Sequence, residues 1–155
     1  MMSEAEKKIE QDKMTFFYEN GQKKRVREHK DGEPHGKTID WYENGQKKAE
    51  VWWKDGEPHG EWVWWHPNGQ KLTVGAWRDG KPYGDETWYH ENGQKESEGS
   101  FKDGRLHGKV LEWNENGHLT SVKTYEGGKL VSEKKIEYHD NGQKESKGKT
   151  NGKFS

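Results

Sequence analysis

Eight histidines are the residues of this chain with the most obvious capacity for chemistry. Imidazole ligates metals and moves protons near neutral pH. Their spacing argues against a shared centre. His35, His59 and His107 occupy one recurring position, and His66, His90 and His139 another. If each recurrence spans two strands, equivalent residues stand about 10 Å apart. Two imidazoles that far apart do not reach one Zn²⁺ at about 2.0–2.1 Å. The acids recur in the same way, with Glu43, Glu91 and Glu115 in one series and Asp31, Asp55, Asp79 and Asp103 in another. There is no cysteine, no Ser-His-Asp order, no phosphate-cradling glycine loop before a helix and no HExxH. The sequence is therefore expected to be non-enzymatic, with neither metal nor cofactor.

The elements that hold these residues are announced by turns. Asn-Gly stands at 20–21, 44–45, 68–69, 92–93 and 116–117, and one residue late at 141–142. A second beat, Asp-Gly, stands at 31–32, 55–56, 79–80 and 103–104. Both dipeptides between alternating apolar runs signal hairpins. A fixed period of 24 residues marks a repeat protein whose units bury their apolar surface on one another. The expected fold is all-β: an elongated, single-layer antiparallel meander of tandem hairpins. Residues 1–12 read as a charged N-terminal tail in which Ser3-Glu4-Ala5-Glu6 could cap a short helix. Residues 13–155 read as five to six repeats, the last ones degenerate.

The loops can be specified further. A three-residue loop such as Glu43-Asn44-Gly45 pairs Tyr42 with Gln46 and Trp41 with Lys47. Lys54-Asp55-Gly56 is read as the same turn at the other edge. Counting in twos from each turn glycine then sends Trp41, Trp53, Trp65, Trp77 and Trp113 to one face, with Ile39 and Val63. Ala49, Thr73, Gly75 and Gly99 supply small neighbours there. The spacing from Gly117 to Gly142 is one residue too long, which predicts a bulge or a widened loop between Lys129 and Ile136.

Composition sets outer limits. Lys and Arg number 27 and Asp and Glu 28, so the net charge of -1 exerts no general pull on nucleic acid or an anionic membrane. No apolar run approaches the roughly 20 residues of a membrane helix. No signal-peptide core is seen in the charged first residues. These features predict a cytoplasmic protein with no membrane span and no nucleic-acid partner. Nine Trp and six Tyr take the place of scarce aliphatics, so the expected core is thin and built from rings.

The units resemble the MORN repeat, in the variant written here as Tyr-Glu-Asn-Gly-Gln-Lys (Tyr42–Lys47) followed by Lys-Asp-Gly-x-Pro-His-Gly (Lys54–Gly60). The resemblance implies the same meander of hairpins. Bacterial chains of this kind are similar to the YwqK-type antitoxins, which implies an immunity protein neutralising a cognate toxin. Eukaryotic relatives are linked instead to scaffolding, dimerisation and acidic lipids. Tyr83-Gly84 and Val131-Ser132 depart from the His-Gly pattern.

One cluster is not explained by the repeat. By the same counting, Trp52, Trp62, Trp64, Trp88, Leu72 and Val74 fall on the face that should be polar, with Trp62 opposite Val74 and Trp64 opposite Leu72. His66 and His90 lie at its rim. An exposed patch of this kind marks an interaction site, and Trp is favoured at the centre of protein interfaces. The expected function is protein binding by occlusion, with a toxin or effector as partner. The alternative is a scaffold that forms a homodimer; lipid and carbohydrate binding rank lower. Cover by the Met1–Met14 segment, or a different strand register, would remove the patch.

Overall fold

The computed structural model describes residues 7–10, 12–138 and 149–151, with side chains from 12 to 138. The chain runs as β1 (Lys7–Glu10), β2 (Lys13–Phe17), β3 (Lys23–Lys30), β4 (Glu33–Trp41), β5 (Lys47–Lys54), β6 (Glu57–Trp65), β7 (Lys71–Arg78), β8 (Lys81–Pro82), β9 (Gly84–Tyr89), β10 (Lys95–Lys102), β11 (Arg105–Leu106), β12 (Gly108–Trp113), β13 (Leu119–Glu126), β14 (Lys129–Lys135) and β15 (Lys149–Asn151). These strands form one antiparallel sheet in meander order, with β8 and β11 as short pieces against β7 and β10. Among the described residues there is no helix. β1 pairs with β2, so the sheet already includes Lys7–Glu10 of the segment read as a tail. The capping box at Ser3–Glu6 and the sixth Asn-Gly turn lie outside the described residues.

The two kinds of turn differ. In the Asn-Gly turns the three-residue loop forms as expected: Tyr42 N–H donates to Gln46 O at 2.8 Å and Gly45, at φ 88°, donates to Tyr42 O at 3.0 Å. The Asp-Gly turns are tighter than expected. Lys54 pairs directly with Glu57, and Asp55 and Gly56 both take positive φ, 50° and 82°. That is a two-residue type I′ turn, whose twist matches the flanking strands. Asp tolerates the left-handed region because its short polar side chain offsets part of the cost.

Immediately after each Asn-Gly loop the ladder slips by one residue. Trp41 pairs with Lys47 as expected, but Asp40 pairs with Ala49, leaving Lys48 as the extra residue of a bulge. The same slip follows Trp65, where Leu72 is left over. Directly opposed side chains share a face, so the slip exchanges the face of one arm relative to the other. Trp53 consequently lies on the face opposite Trp65: Trp53, Val51 and Ala49 share theirs with Trp62 and Trp64, whereas Glu50 pairs with Val63 on the side of Trp65. Counting in twos across the turn therefore fails. We call the two sides the Trp64 face and the Trp65 face. In the fifth repeat the irregularity falls at Val131, between Leu130 and Ser132, inside the predicted interval.

The core is thin. Ala49, Thr73, Ser121 and Thr38 are at most 6% exposed and all lie on the Trp64 face, and none of the described large side chains is fully buried. Small residues form the floor and neighbouring rings lie over it. Gly75 shows why: a Cβ there would stand 2.6 Å from the Trp62 ring, which occupies the space its absence leaves.

The Asn-Gly turns are also stacked on one another. In the first four turns the Asn holds its own loop by accepting a hydrogen bond two residues on, as from Gln46 N–H to Asn44 Oδ1 at 2.9 Å; in the fifth, Asn114 Oδ1 accepts from His118 N–H instead, at 3.0 Å. In those four turns the Asn amide then donates to the next repeat, Asn44 to Pro67 O at 3.0 Å and Asn68 to Glu91 O at 2.9 Å. The following Gln side chain packs on the next turn glycine, where a Cβ at Gly69 would meet Gln46 Oε1 at 3.3 Å. Asn, Gly and Gln each serve both their own turn and its neighbour.

Candidate functional site

The structure divides the expected interaction residues. Trp62, Trp64 and Trp88 share one face: Trp62 opposes Gly75, Trp64 opposes Thr73, and Thr73 also pairs with Trp88. They are joined there by Trp53 and Trp77, which the counting had placed on the other side. Trp52 opposes Lys37 and Val74 opposes Val63, so both belong to the Trp65 face. Leu72 is the bulge residue and has no opposing partner in the ladder. The expected oppositions of Trp62 with Val74 and Trp64 with Leu72 are thus both replaced, for one reason: the bulge after each Asn-Gly loop.

His66 and His90 belong to the turn edge. His66 Nε2 donates to Tyr89 O at 3.0 Å and His90 Nε2 to Trp113 O at 2.9 Å. A carbonyl only accepts, so in these bonds Nε2 carries the proton. Tyr18 and Tyr42 do the same in earlier repeats, from their hydroxyls to Trp41 O at 2.6 Å and Trp65 O at 2.8 Å. Burial, with Glu43 and Asp40 nearby, raises the Tyr18 phenol pKa and favours the neutral donor. His66 and His90 are rungs between repeats, and their apparent rim position followed from spacing alone.

The Trp64 face carries five Trp in its middle, with charges to either side. Trp64 is 36% and Trp88 39% exposed, while Trp53, Trp62 and Trp77 are half-buried. Trp88 is held by its indole N–H, which donates to Glu86 Oε1 at 2.6 Å. Toward β3, Arg25 forms a two-pronged pair with Asp40, at 2.5 and 2.8 Å, and this carboxylate holds the guanidinium pKa above its ordinary value. Beside it, Arg27 makes no ion pair among the described residues, and its buried Nε lacks a hydrogen-bond partner. Toward β12 and β13, Lys123 pairs with Glu112 at 2.7 Å, which raises the Lys123 pKa.

The Trp65 face is different in kind. Its rings alternate with lysines that reach across the repeat boundary: Lys47 Nζ lies 5.8 Å from the Trp65 ring and Lys95 Nζ 5.8 Å from that of Trp113. The expected cross-strand neighbours Trp41–Lys47 and Trp65–Lys71 are present, but these cation–π contacts go to the next repeat. Trp52, 44% exposed, lies under Lys37 Nζ at 5.0 Å. Burial alone would raise the Glu50 pKa; Lys47 at 3.0 Å and Lys37 at 3.4 Å outweigh it and hold the carboxyl below its ordinary value. Aromatics here are largely shared with lysine stems and ammonium groups.

A single open sheet of stacked hairpins, with side-chain rungs at every repeat boundary, defines a tandem hairpin-repeat protein. The family model described as the MORN repeat variant matches residues 34–55, 58–73, 82–103 and 106–126, just over half of the chain. The chain belongs to the MORN repeat variant family, as the Tyr42–Gly60 pattern implied. No curated protein matches it. Among chains of known structure 21 match. One, from the crystal structure of accessory secretory protein 1, 2 and 3 in Streptococcus pneumoniae, is 16% identical with a TM-score of 0.39, and the match covers 80% of this chain and 21% of that one. The present chain thus spans about a fifth of that protein. Among the described residues, no helix is long and apolar enough to cross a membrane.

Proposed function

We propose that this chain is a non-enzymatic protein-binding module that works by occlusion, laying the Trp64 face against a partner protein, and that the partner is a toxin or effector it neutralises. The observation that carries the reading is the gathering of Trp53, Trp62, Trp64, Trp77 and Trp88 on one face of an open sheet, with Trp64 and Trp88 more than a third exposed. Rings at the centre and charges at the margin are the arrangement of a protein interface. The immunity role draws on the likeness to the antitoxin branch of the family. The protein encoded by the neighbouring reading frame is the partner to test. Titration of that protein should show binding weakened about thirtyfold, roughly 2 kcal/mol, by Trp64→Ala and by Trp88→Ala, with Trp52→Ala binding as wild type. Equal affinity of all four proteins would place the interface elsewhere and end this reading.

A further inference from the structure

Two charges that flank the Trp cluster on the Trp64 face have no counter-ion among the described residues. Arg27 on β3 has no counter-ion among the described residues, and Glu86 on β9 receives only the indole N–H of Trp88. They stand on opposite sides of the Trp cluster, in one file across the sheet. The file reads Arg27, Thr38, Val51, Trp62 and Gly75 through successive pairings, and the β7–β9 register extends it toward Glu86. Five strand spacings make the separation about 24 Å, and its midpoint falls between β5 and β6. The adjacent file runs Arg25, Asp40, Ala49, Trp64, Thr73, Trp88.

We propose that a second copy of this chain docks on the Trp64 face, related to the first by a two-fold axis parallel to the strands and lying between β5 and β6. This deepens the reading of that face as a protein-binding surface and rests on it. Such an axis lays β3 of one copy over β9 of the other and keeps each file over itself. Arg27 then meets Glu86 of the second copy, twice by symmetry. In the neighbouring file Arg25 meets the exposed ring of Trp88, a cation–π contact, and Trp64 meets Ala49. At the next level Trp53 meets Pro58, which shares its file. Bulky side chains face small ones because the axis lays ring-rich β6 over β5, where the small residues lie. A two-fold axis across the strands would instead bring β3 onto β3, placing Arg27 near its own copy, and is disfavoured by like charge. Two sheets packed face to face at about 10 Å, with strands nearly aligned, are a standard solution for such surfaces. An outside partner would compete with the second copy for this face, so capturing it would split the pair.

The test uses the full chain alone, by sedimentation over about a hundredfold range of concentration, because self-association must depend on concentration. Wild type should form a dimer. Arg27→Glu and Glu86→Arg should each raise its dissociation constant at least about tenfold, since each puts like charges in contact twice. Mixing the two variants should restore association, because both contacts in the mixed pair are again of opposite sign. Circular dichroism on each variant establishes that the sheet is intact, and complementation in the mixture is a readout that misfolding does not produce. A wild-type monomer at every concentration overturns the proposal, as does a dimer indifferent to both variants or one not restored on mixing. Those results leave the titration of the neighbouring protein to decide the broader reading by itself.

Discussion

At the level of single residues, stability and binding draw on different members of the Trp64 face. The floor residues Thr38, Thr73 and Ser121 are polar, and their buried hydroxyls have no hydrogen-bond partner. An unsatisfied buried hydroxyl costs about 1–3 kcal/mol. Thr73→Val keeps the branched shape, suits a strand, and removes the stranded oxygen. Chemical unfolding should therefore show Thr73→Val stabilised by about 1 kcal/mol; a loss of stability would mean that the hydroxyl is bonded through water. Trp62 is also a structural residue, since its ring fills the space over Gly75. Trp64 and Trp88 are more exposed, which is why the binding test rests on them.

What could be read from the sequence follows the same division. The three-residue Asn-Gly loop, the Trp41–Lys47 and Trp65–Lys71 neighbours and the irregularity near Val131 all follow from local turn chemistry and spacing. The bulge after each loop was not legible, because the residues left over, Lys48 and Leu72, have no special backbone requirement. A one-residue slip moves a whole strand to the other face. The small residues did not distinguish the registers: Ala49, Thr73 and Gly75 find large neighbours in Trp41, Trp65 and Trp77 if the ladder runs straight, and in Trp62 and Trp64 if it slips. Trp52 and Val74 join that cluster only when parity runs unbroken across the turn.

At the level of the elements, the hairpins are joined at their turns as well as through the strand ladder. Each boundary carries an Asn amide bond, a Tyr or His bond to the next strand end, and a Gln packed on the next glycine. This explains why Asn-Gly-Gln stands unchanged at five of the six Asn-Gly positions while the strand residues vary. Asn68 makes both kinds of bond, accepting from Gln70 N–H at 2.9 Å and donating to Glu91 O at 2.9 Å. Asn68→Ala should lose about 1–2 kcal/mol, with amide exchange accelerated in the turns at residues 66–70 and 90–94 together. Protection lost at the mutated turn alone would show that the rung between them carries no coupling. Asn68→Asp keeps the acceptor but removes the donor, and should recover only part of the loss.

For the molecule as a whole, the period is a statement about which lengths of chain can be removed. Each hairpin touches only its neighbours along the meander, so stability is close to a sum of unit and boundary contributions. Deleting residues 51–74 joins Glu50 to Gly75 in phase: Gly75 and Trp77 keep to the Trp64 face, the loop at Glu43–Gly45 is untouched, and Tyr42 and Asn44 meet Tyr89 and Glu91 as their next rungs. That variant should fold into a sheet one repeat shorter, with a normal strand spectrum and a lower unfolding midpoint. Deleting residues 51–73 removes one residue fewer and joins Glu50 to Val74. Every side chain from there to the next turn then exchanges faces, setting Val74 among the Trp64-face residues and turning Trp77 away from them. This variant should be far less stable than the larger deletion, although it retains more of the chain. Calorimetry of the two proteins side by side decides it: equal midpoints would mean that a compensating bulge forms at little cost and that face assignment does not govern the stability of this sheet.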